Sequence, residues 1–180
     1  MSLGFVAYLL IPVCTFLFAA DSNWFTTNFS VLGSETGHQI HFLLWGLAVG
    51  FYFFWCLRRI AARMPDAPRG SWIGTLALLL LFFALTTPYL PEELPFQAGL
   101  HVIFAFFAAV FLAAALFLIV LKLCHTYPGR FRSYLWGMVL IALCCLYLYH
   151  LAGIISSALE IFFTISADLM VYRLYRKVDA

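Results

Sequence analysis

Charged residues are scarce in this chain. Only 10% of its 180 residues are Asp, Glu, Lys or Arg, whereas a soluble domain has about 25%. Hydrophobic residues make up 65% and aromatic residues 19%. This composition excludes an ordinary soluble enzyme and a disordered tail, and it predicts a protein whose main solvent is lipid. We expect membrane lipid as a partner and no nucleic acid.

Cysteine is also sparse, and no Cys-x-x-Cys pair occurs among the five cysteines. Cys14, Cys144 and Cys145 lie in apolar runs, and Cys56 and Cys124 lie near run ends. None falls in a segment that we assign to the outer side. A disulfide framework is therefore not expected.

Six apolar runs cover most of the sequence, and each approaches the length of about 20 residues that a membrane-spanning helix needs. The last two form one continuous run, which we divide at Leu151-Ala152-Gly153 because it is too long for a single crossing. The prediction is an all-α bundle of six transmembrane helices forming one domain over residues 1–180. The predicted spans are Leu3–Ala20, His41–Ile60, Trp72–Pro88, Gly99–Leu121, Tyr134–Ala152 and Ile155–Tyr172.

Basic residues are confined to one side of the predicted bundle. All ten lie at or after the ends of the second, fourth and sixth spans, whereas the opposite side carries Asp21, Glu35, Glu92 and Glu93. The positive-inside rule then places both termini in the cytoplasm of a multi-pass plasma (inner) membrane protein. The first span lacks a basic residue ahead of it, at Met1-Ser2, and so does not resemble a cleaved signal peptide.

Small residues at four-residue spacing predict close helix packing within the bundle. These are Gly46-x3-Gly50 in the second span and Ala105-x3-Ala109-x3-Ala113 in the fourth. Such spacing lets two helix backbones approach each other.

The first outer loop combines polar groups with large apolar side chains. Asp21, Asn28 and Ser30 alternate with residues such as Trp24 and Phe29. Because a fully solvated loop does not need large aromatic rings, we expect it to fold over the outer end of the bundle. It is either a structural lid or one wall of a ligand site.

Four of the five histidines fall at the outer level. His38 and His41 precede or open the second span, His101 opens the fourth and His150 closes the fifth. Three or four His and carboxylate groups can bind zinc, so His38, His41 and His101 are candidate metal ligands and His150 a candidate ligand-binding residue. No HxxxH or HExxH motif occurs, and the alternative is a set of interfacial histidines that form hydrogen bonds.

The sixth span carries four polar residues on one helical face: Ser157, Glu160, Thr164 and Asp168. A carboxylate within a span costs several kcal/mol unless it is paired, hydrated or protonated. No Lys or Arg lies inside a predicted span near enough to pair with either carboxylate. We therefore expect Glu160 to face the bundle interior, near His41, His101, Asn28 or Ser30.

Three short elements carry a resemblance to a known type of protein. They are Ser30-Val31-Leu32-Gly33 in the outer loop, Thr86-Thr87-Pro88-Tyr89-Leu90-Pro91 between the third and fourth spans, and Gly99-Leu100-His101. Their order resembles a family of bacterial and archaeal six-helix membrane proteins of unknown function, and more distantly the Frag/DRAM type. The resemblance implies a six-helix fold and no particular activity.

These features predict an outward-facing polar pocket that binds a lipid headgroup or a small polar ligand. The same pocket could also support metal-dependent hydrolysis. In that case the histidines bind zinc, and Glu160 and Ser157 are the candidate catalytic residues. The alternative is a small proton-coupled transporter that uses Glu160 and Asp168. A bis-histidine haem protein and a structural membrane subunit stay open as further alternatives.

Overall fold

The computed structural model describes residues 3–35, 37–64 and 69–179, and within these ranges the chain is helical and contains no strand. The all-α prediction is confirmed. Met1 and Ser2, on which the signal-peptide argument depended, lie outside the described residues. The helices, which we number in chain order, are α1 (Leu3–Phe18), α2 (Phe29–Ser34), α3 (Gln39–Ala62), α4 (Arg69–Thr86), α5 (Pro95–Thr126), α6 (Arg132–Ala152) and α7 (Ser157–Asp179).

Three of these helices, α3, α5 and α6, are long and apolar enough to cross a membrane. Two shorter apolar helices accompany them, α1 and the part of α4 from Trp72 to Thr86. α7 has 23 residues, but its polar and charged side chains lower its hydropathy. The chain is therefore a helical protein of membrane type.

The helix ends follow local signals in the sequence. Pro95 lies in the first turn of α5, where its missing amide hydrogen leaves no helical bond unmade. Gly153 ends α6 with a left-handed backbone (φ 72°) and donates its amide to the Tyr149 carbonyl, a conformation that glycine adopts at little cost. The predicted division of the last apolar run into two helices is thus confirmed at Gly153.

α1 contains a π-helical segment, Val6–Leu10. Pro12 follows it and has no amide hydrogen to donate to the carbonyl of Tyr8, four residues earlier. The wider turn accommodates this missing bond. As a result the Tyr8 ring meets the ring of Tyr172 on α7 edge to face, with centroids 5.2 Å apart.

The core forms where α3, α5 and α7 meet, with α1 against them. Ile60, Ile119, Val120, Val171 and Leu174 are all fully buried in it. α6 contributes no buried residue and packs as an outer helix, most closely against α7. Apolar side chains cover its exposed face, as lipid contact requires.

Small residues mediate one of the two predicted close approaches. A Cβ added to Gly46 on α3 would lie 2.3 Å from a methyl group of Leu85 on α4, so this contact depends on glycine. The alanine prediction in α5 is wrong for Ala109, which is exposed, whereas Ala105 and Ala113 are half-buried and Ala108 and Ala115 are fully buried. The face of α5 that packs into the core is therefore shifted by one to two residues from the face that carries the three predicted alanines.

The two ends of the bundle differ in chemistry. At one end Arg63, just after α3, forms a salt bridge of 2.8 Å with Asp179 at the end of α7. Arg130 at the same end donates to the Lys177 carbonyl at 3.0 Å. At the other end, the segment between α1 and α3 folds over the helix termini, and among its described residues no hydrogen bond involves a lysine or arginine.

Candidate functional site

The segment from Ala19 to Glu35, here called the lid, closes one end of the bundle. Within it Asn28 caps α2, because its side chain accepts a hydrogen bond from the Val31 amide at 2.9 Å. Phe29 is 2% exposed and packs with Ile161 of α7. The expectation that the loop folds back is confirmed for Phe29, whereas Trp24 and Phe25 keep 37% and 43% of their surface exposed.

Backbone hydrogen bonds tie the lid to the beginning of α7. The Ser157 amide donates to the Thr27 carbonyl at 2.7 Å, and the Ala158 amide donates to the Trp24 carbonyl at 2.8 Å. The Ser157 hydroxyl also donates to Thr27, at 3.2 Å. The first amides of a helix lack partners within it, so the lid supplies the acceptors that α7 needs.

Glu160 forms a third connection between α7 and the lid. Its Oε2 accepts the amide of Phe29, the first residue of α2, at 2.7 Å. The carboxylate lies in the first turn of α7 and at the start of α2, where negative charge is favoured by both helix dipoles. We expected Glu160 to face the bundle interior near one of four named side chains, whereas its hydrogen-bond partner is a backbone amide of the lid.

Ser30 and His101 meet across the lid and α5. The Ser30 hydroxyl lies 2.7 Å from Nε2 of His101, and Nδ1 of the same ring lies 2.9 Å from the Thr87 carbonyl. Because a carbonyl only accepts, Nδ1 carries a hydrogen, and in the corresponding uncharged tautomer Nε2 accepts from the Ser30 hydroxyl. His101 is 2% exposed, so the pair joins the lid, α5 and the turn after α4 in a buried position.

The remaining candidate residues lie apart from this cluster. His38 and His41 are both exposed at the start of α3, with ring centroids 6.5 Å apart, and His41 bonds to the Gly37 carbonyl. Asp21 and His150 are exposed. Within the described ranges no three His, Cys, Asp or Glu side chains are grouped closely enough to hold a metal ion. The structure therefore unites Asn28, Ser30, His101, Ser157 and Glu160, without the other three histidines.

Asp168 lies two turns further along α7 than Glu160, inside the core. It is completely buried, and its carboxyl oxygens form no hydrogen bond of regular geometry with the described residues, although the Tyr52 hydroxyl lies close enough to interact with the carboxyl group. The nearby Tyr52 hydroxyl donates to the backbone carbonyl of Asp168, at 3.2 Å. A buried polar group without a partner is rare and indicates either function or a bound species that satisfies it.

Glu160 and Asp168 belong to a longer line of polar side chains on α7. At intervals of three or four residues, the line consists of Ser157, Glu160, Thr164, Asp168, Tyr172 and Arg176. Because four residues exceed one helical turn slightly, the line drifts gradually around α7 by about 160° between Glu160 and Arg176. At a rise of 1.5 Å per residue the line extends about 28 Å, close to the ~30 Å hydrocarbon thickness of a bilayer.

The line ends at an open cavity of about 510 Å³, on the side of the bundle opposite the lid. The cavity is lined by Tyr8, Tyr134, Tyr172, Arg173, Arg176 and Lys177. Sequence reasoning missed it because its tyrosines come from three separate helices. The spacing of Tyr172 and Arg176 from Asp168 was the available signal, since it continues the polar line by two turns.

Sequence reasoning also missed Ser156 beside the lid, whose buried hydroxyl has no hydrogen-bond partner among the described residues.

Comparisons of the chain with protein-family models, curated proteins and solved structures found no match. The family resemblance noted from the sequence therefore stays a prediction.

Proposed function

We propose that the protein crosses the membrane six times, with both termini in the cytoplasm, and acts as a small proton-coupled transporter. In this proposal α7 carries the proton, Asp168 is its central binding site, and Glu160 couples its passage to the lid. The observation that carries the proposal is the complete burial of the Asp168 carboxyl group with no basic side chain paired to it and no regular hydrogen bond to either oxygen among the described residues.

The placement of charges supports this topology. Arg63, Arg130 and Lys177 lie at the end of the bundle opposite the lid, and basic residues prefer the cytoplasmic side. The lid and the Pro-rich turn that contains Glu92 then face outward. The shorter helices α1 and α4 span by virtue of their packing against α3 and α5, and α7 spans with its polar face turned inward.

The energetic cost of an isolated carboxylate supports a proton-carrying role for Asp168. A charged carboxylate in an apolar interior costs several kcal/mol, and a proton on the group removes most of this cost. No basic side chain forms an ion pair with Asp168 in the described ranges. A transiently bound proton is the simplest partner that the site can accept.

Glu160 supplies a means of coupling. As a carboxylate it accepts the Phe29 amide in a charge-assisted hydrogen bond, which is stronger than a neutral one. A proton on Glu160 weakens this bond and so loosens the lid from α7. Proton transfer from Glu160 toward Asp168 restores the charge and the bond. Lid opening and proton entry are thereby linked, as a coupled carrier requires.

Proton flux into liposomes that contain the purified protein tests the proposal. A potassium diffusion potential drives protons, an internal dye reports pH, and a mixture of amino acids and sugars is present on one side. We expect the wild type to acidify the lumen several times faster than protein-free liposomes. Asp168→Asn should reduce the rate to that of protein-free liposomes, because an amide cannot carry the proton.

Glu92→Gln is the matched control, since it also replaces one carboxylate by an amide but at an exposed position in the turn before α5. It should retain the wild-type rate. Equal rates for the wild type and Asp168→Asn, or wild-type flux no faster than that of protein-free liposomes, would contradict the proposal.

A second candidate function is supported by one observation, the Ser30–His101–Thr87 arrangement. A serine bonded to a histidine whose other nitrogen is held by an acceptor is the geometry that activates a hydroxyl for hydrolysis, here of a lipid bound at the outer face. The amides of Phe29 and Val31, which flank Ser30, are already bonded to Glu160 and Asn28. They are therefore not free to stabilise an oxyanion, and the geometry favours the transporter.

A further inference from the structure

The cavity at the basic end of the bundle has the properties of a binding site for an anion. Its volume of about 510 Å³ falls in the range of ligand pockets, about 300–1,000 Å³. Arg173, Arg176 and Lys177 line it together with three tyrosines. We propose that this cavity binds a phosphate-bearing anion, and that anionic phospholipid headgroups are among its ligands.

None of the three basic side chains forms an ion pair with a described residue. The one salt bridge among the described residues joins Arg63 to Asp179, so the acidic residue at the end of α7 is already paired. Arg176 makes only a long contact of 3.5 Å with the Tyr172 hydroxyl. The cavity therefore has an excess of positive charge, and arginine presents the planar set of donors that matches phosphate oxygens.

The walls of the cavity are held in position by contacts from neighbouring elements. The Tyr134 hydroxyl donates to the Arg173 carbonyl at 3.2 Å. Lys177 extends across the Tyr134 ring, with Nζ 5.3 Å from its centroid. These contacts connect α6 to the last turns of α7, so little ordering of the site is needed when a ligand binds.

Tyr8 and Tyr172 form the remaining wall. The π-helical turn of α1 places Tyr8 against Tyr172, and π-helical turns occur frequently at functional sites. Gly4 approaches Tyr172 so closely that an added Cβ would lie 2.7 Å from its hydroxyl oxygen. Aromatic rings with hydroxyl groups next to basic side chains suit the interface between headgroups and acyl chains, which favours a lipid as ligand.

The test is a titration of the full-length protein in a zwitterionic detergent, with thermal stability as the readout. The ligands are dihexanoyl phosphatidylglycerol, dihexanoyl phosphatidylcholine, glycerol 3-phosphate and inorganic phosphate. We expect the anionic lipid to bind at least tenfold more tightly than the zwitterionic one. Binding of the lipid alone identifies a headgroup site, and equal binding of glycerol 3-phosphate or phosphate identifies a site for soluble phosphates.

The variant pair Arg173→Gln with Arg176→Gln should weaken anion binding at least tenfold. The matched control is Arg58→Gln with Arg59→Gln, which removes two exposed cations from the end of α3 at the same side of the bundle. These arginines stack on Phe54 and Trp55 and do not line the cavity. The control should bind within twofold of the wild type.

Arg176→Lys serves as a conservative variant in case the double variant does not fold. It keeps the charge and should retain binding within about fivefold. The inference is overturned if no ligand binds the wild type more tightly than the Arg173→Gln/Arg176→Gln variant. Equal losses of binding in this variant and in the Arg58→Gln/Arg59→Gln control would also overturn it. So would a zwitterionic lipid that binds as tightly as the anionic one. None of these results depends on proton transport.

Discussion

Ser30 and His101 form a polar pair that connects the lid to α5. Both were assigned to the outer end from their positions, and the structure joins them at 2.7 Å. The third member, the Thr87 carbonyl, could not be predicted, because a backbone carbonyl leaves no signal in the sequence. The Thr87 carbonyl can accept from His101 only because the Pro-rich turn after α4 directs it toward the ring.

Replacement of Ser30 tests what this pair does. Ser30→Ala leaves Nε2 of a nearly buried ring without a donor, and such a loss costs about 1–3 kcal/mol. We expect the free energy of unfolding of Ser30→Ala to be lower than that of the wild type by that amount. Because the pair is structural in this view, the wild type should not be labelled by a fluorophosphonate probe. Unfolding in detergent mixtures and probe labelling measure the two effects.

Ser34→Ala is the control, since the Ser34 hydroxyl bonds only to the Val31 carbonyl within the same short helix. Its effect on stability should be smaller. Probe labelling of the wild type that disappears in Ser30→Ala would instead support the hydrolytic function.

At the scale of the helices, glycine contacts determine how closely α3 and α4 pack. Gly46→Ala would bring a methyl group to within 3.0 Å of three side-chain atoms of Leu85, and such overpacking costs about 1–3 kcal/mol. We expect this loss in the free energy of unfolding. Gly99→Ala is the matched control for Gly46→Ala, because no atom lies within 4 Å of the Cβ that it adds. It should stabilise α5, by up to about 1 kcal/mol. Equal losses for both would contradict the packing argument.

Helix positions were largely predictable, whereas the faces they bury were not. The predicted span from Tyr134 to Ala152 ends where α6 ends, since Gly153 and the hydrophobic run both mark that point. In α5 nearly every residue is apolar, so the sequence has no polar face that could identify Ala108 rather than Ala109 as buried. The lid helix α2 was predicted only as a loop, because six residues are too few for a helical period.

At the scale of the whole molecule, the polar line of α7 connects two differently charged ends. The lid end gathers neutral and acidic groups around Glu160, and the opposite end gathers Arg173, Arg176 and Lys177 around a cavity. Charge asymmetry in the sequence predicted that these ends differ. It could not predict the cavity, which exists only because α1, α6 and α7 converge there.

The orientation of this asymmetry is testable with single cysteines. Beginning from a variant in which the five native cysteines are replaced, Glu92→Cys and Arg63→Cys each provide one reactive thiol at opposite, exposed ends of the bundle. Because the basic end should remain in the cytoplasm, an impermeant maleimide added to intact cells should label Glu92→Cys at once. It should label Arg63→Cys only after the membrane is permeabilised. The reverse pattern would place the lid in the cytoplasm, so that protons driven inward would meet Asp168 from the basic cavity rather than through Glu160.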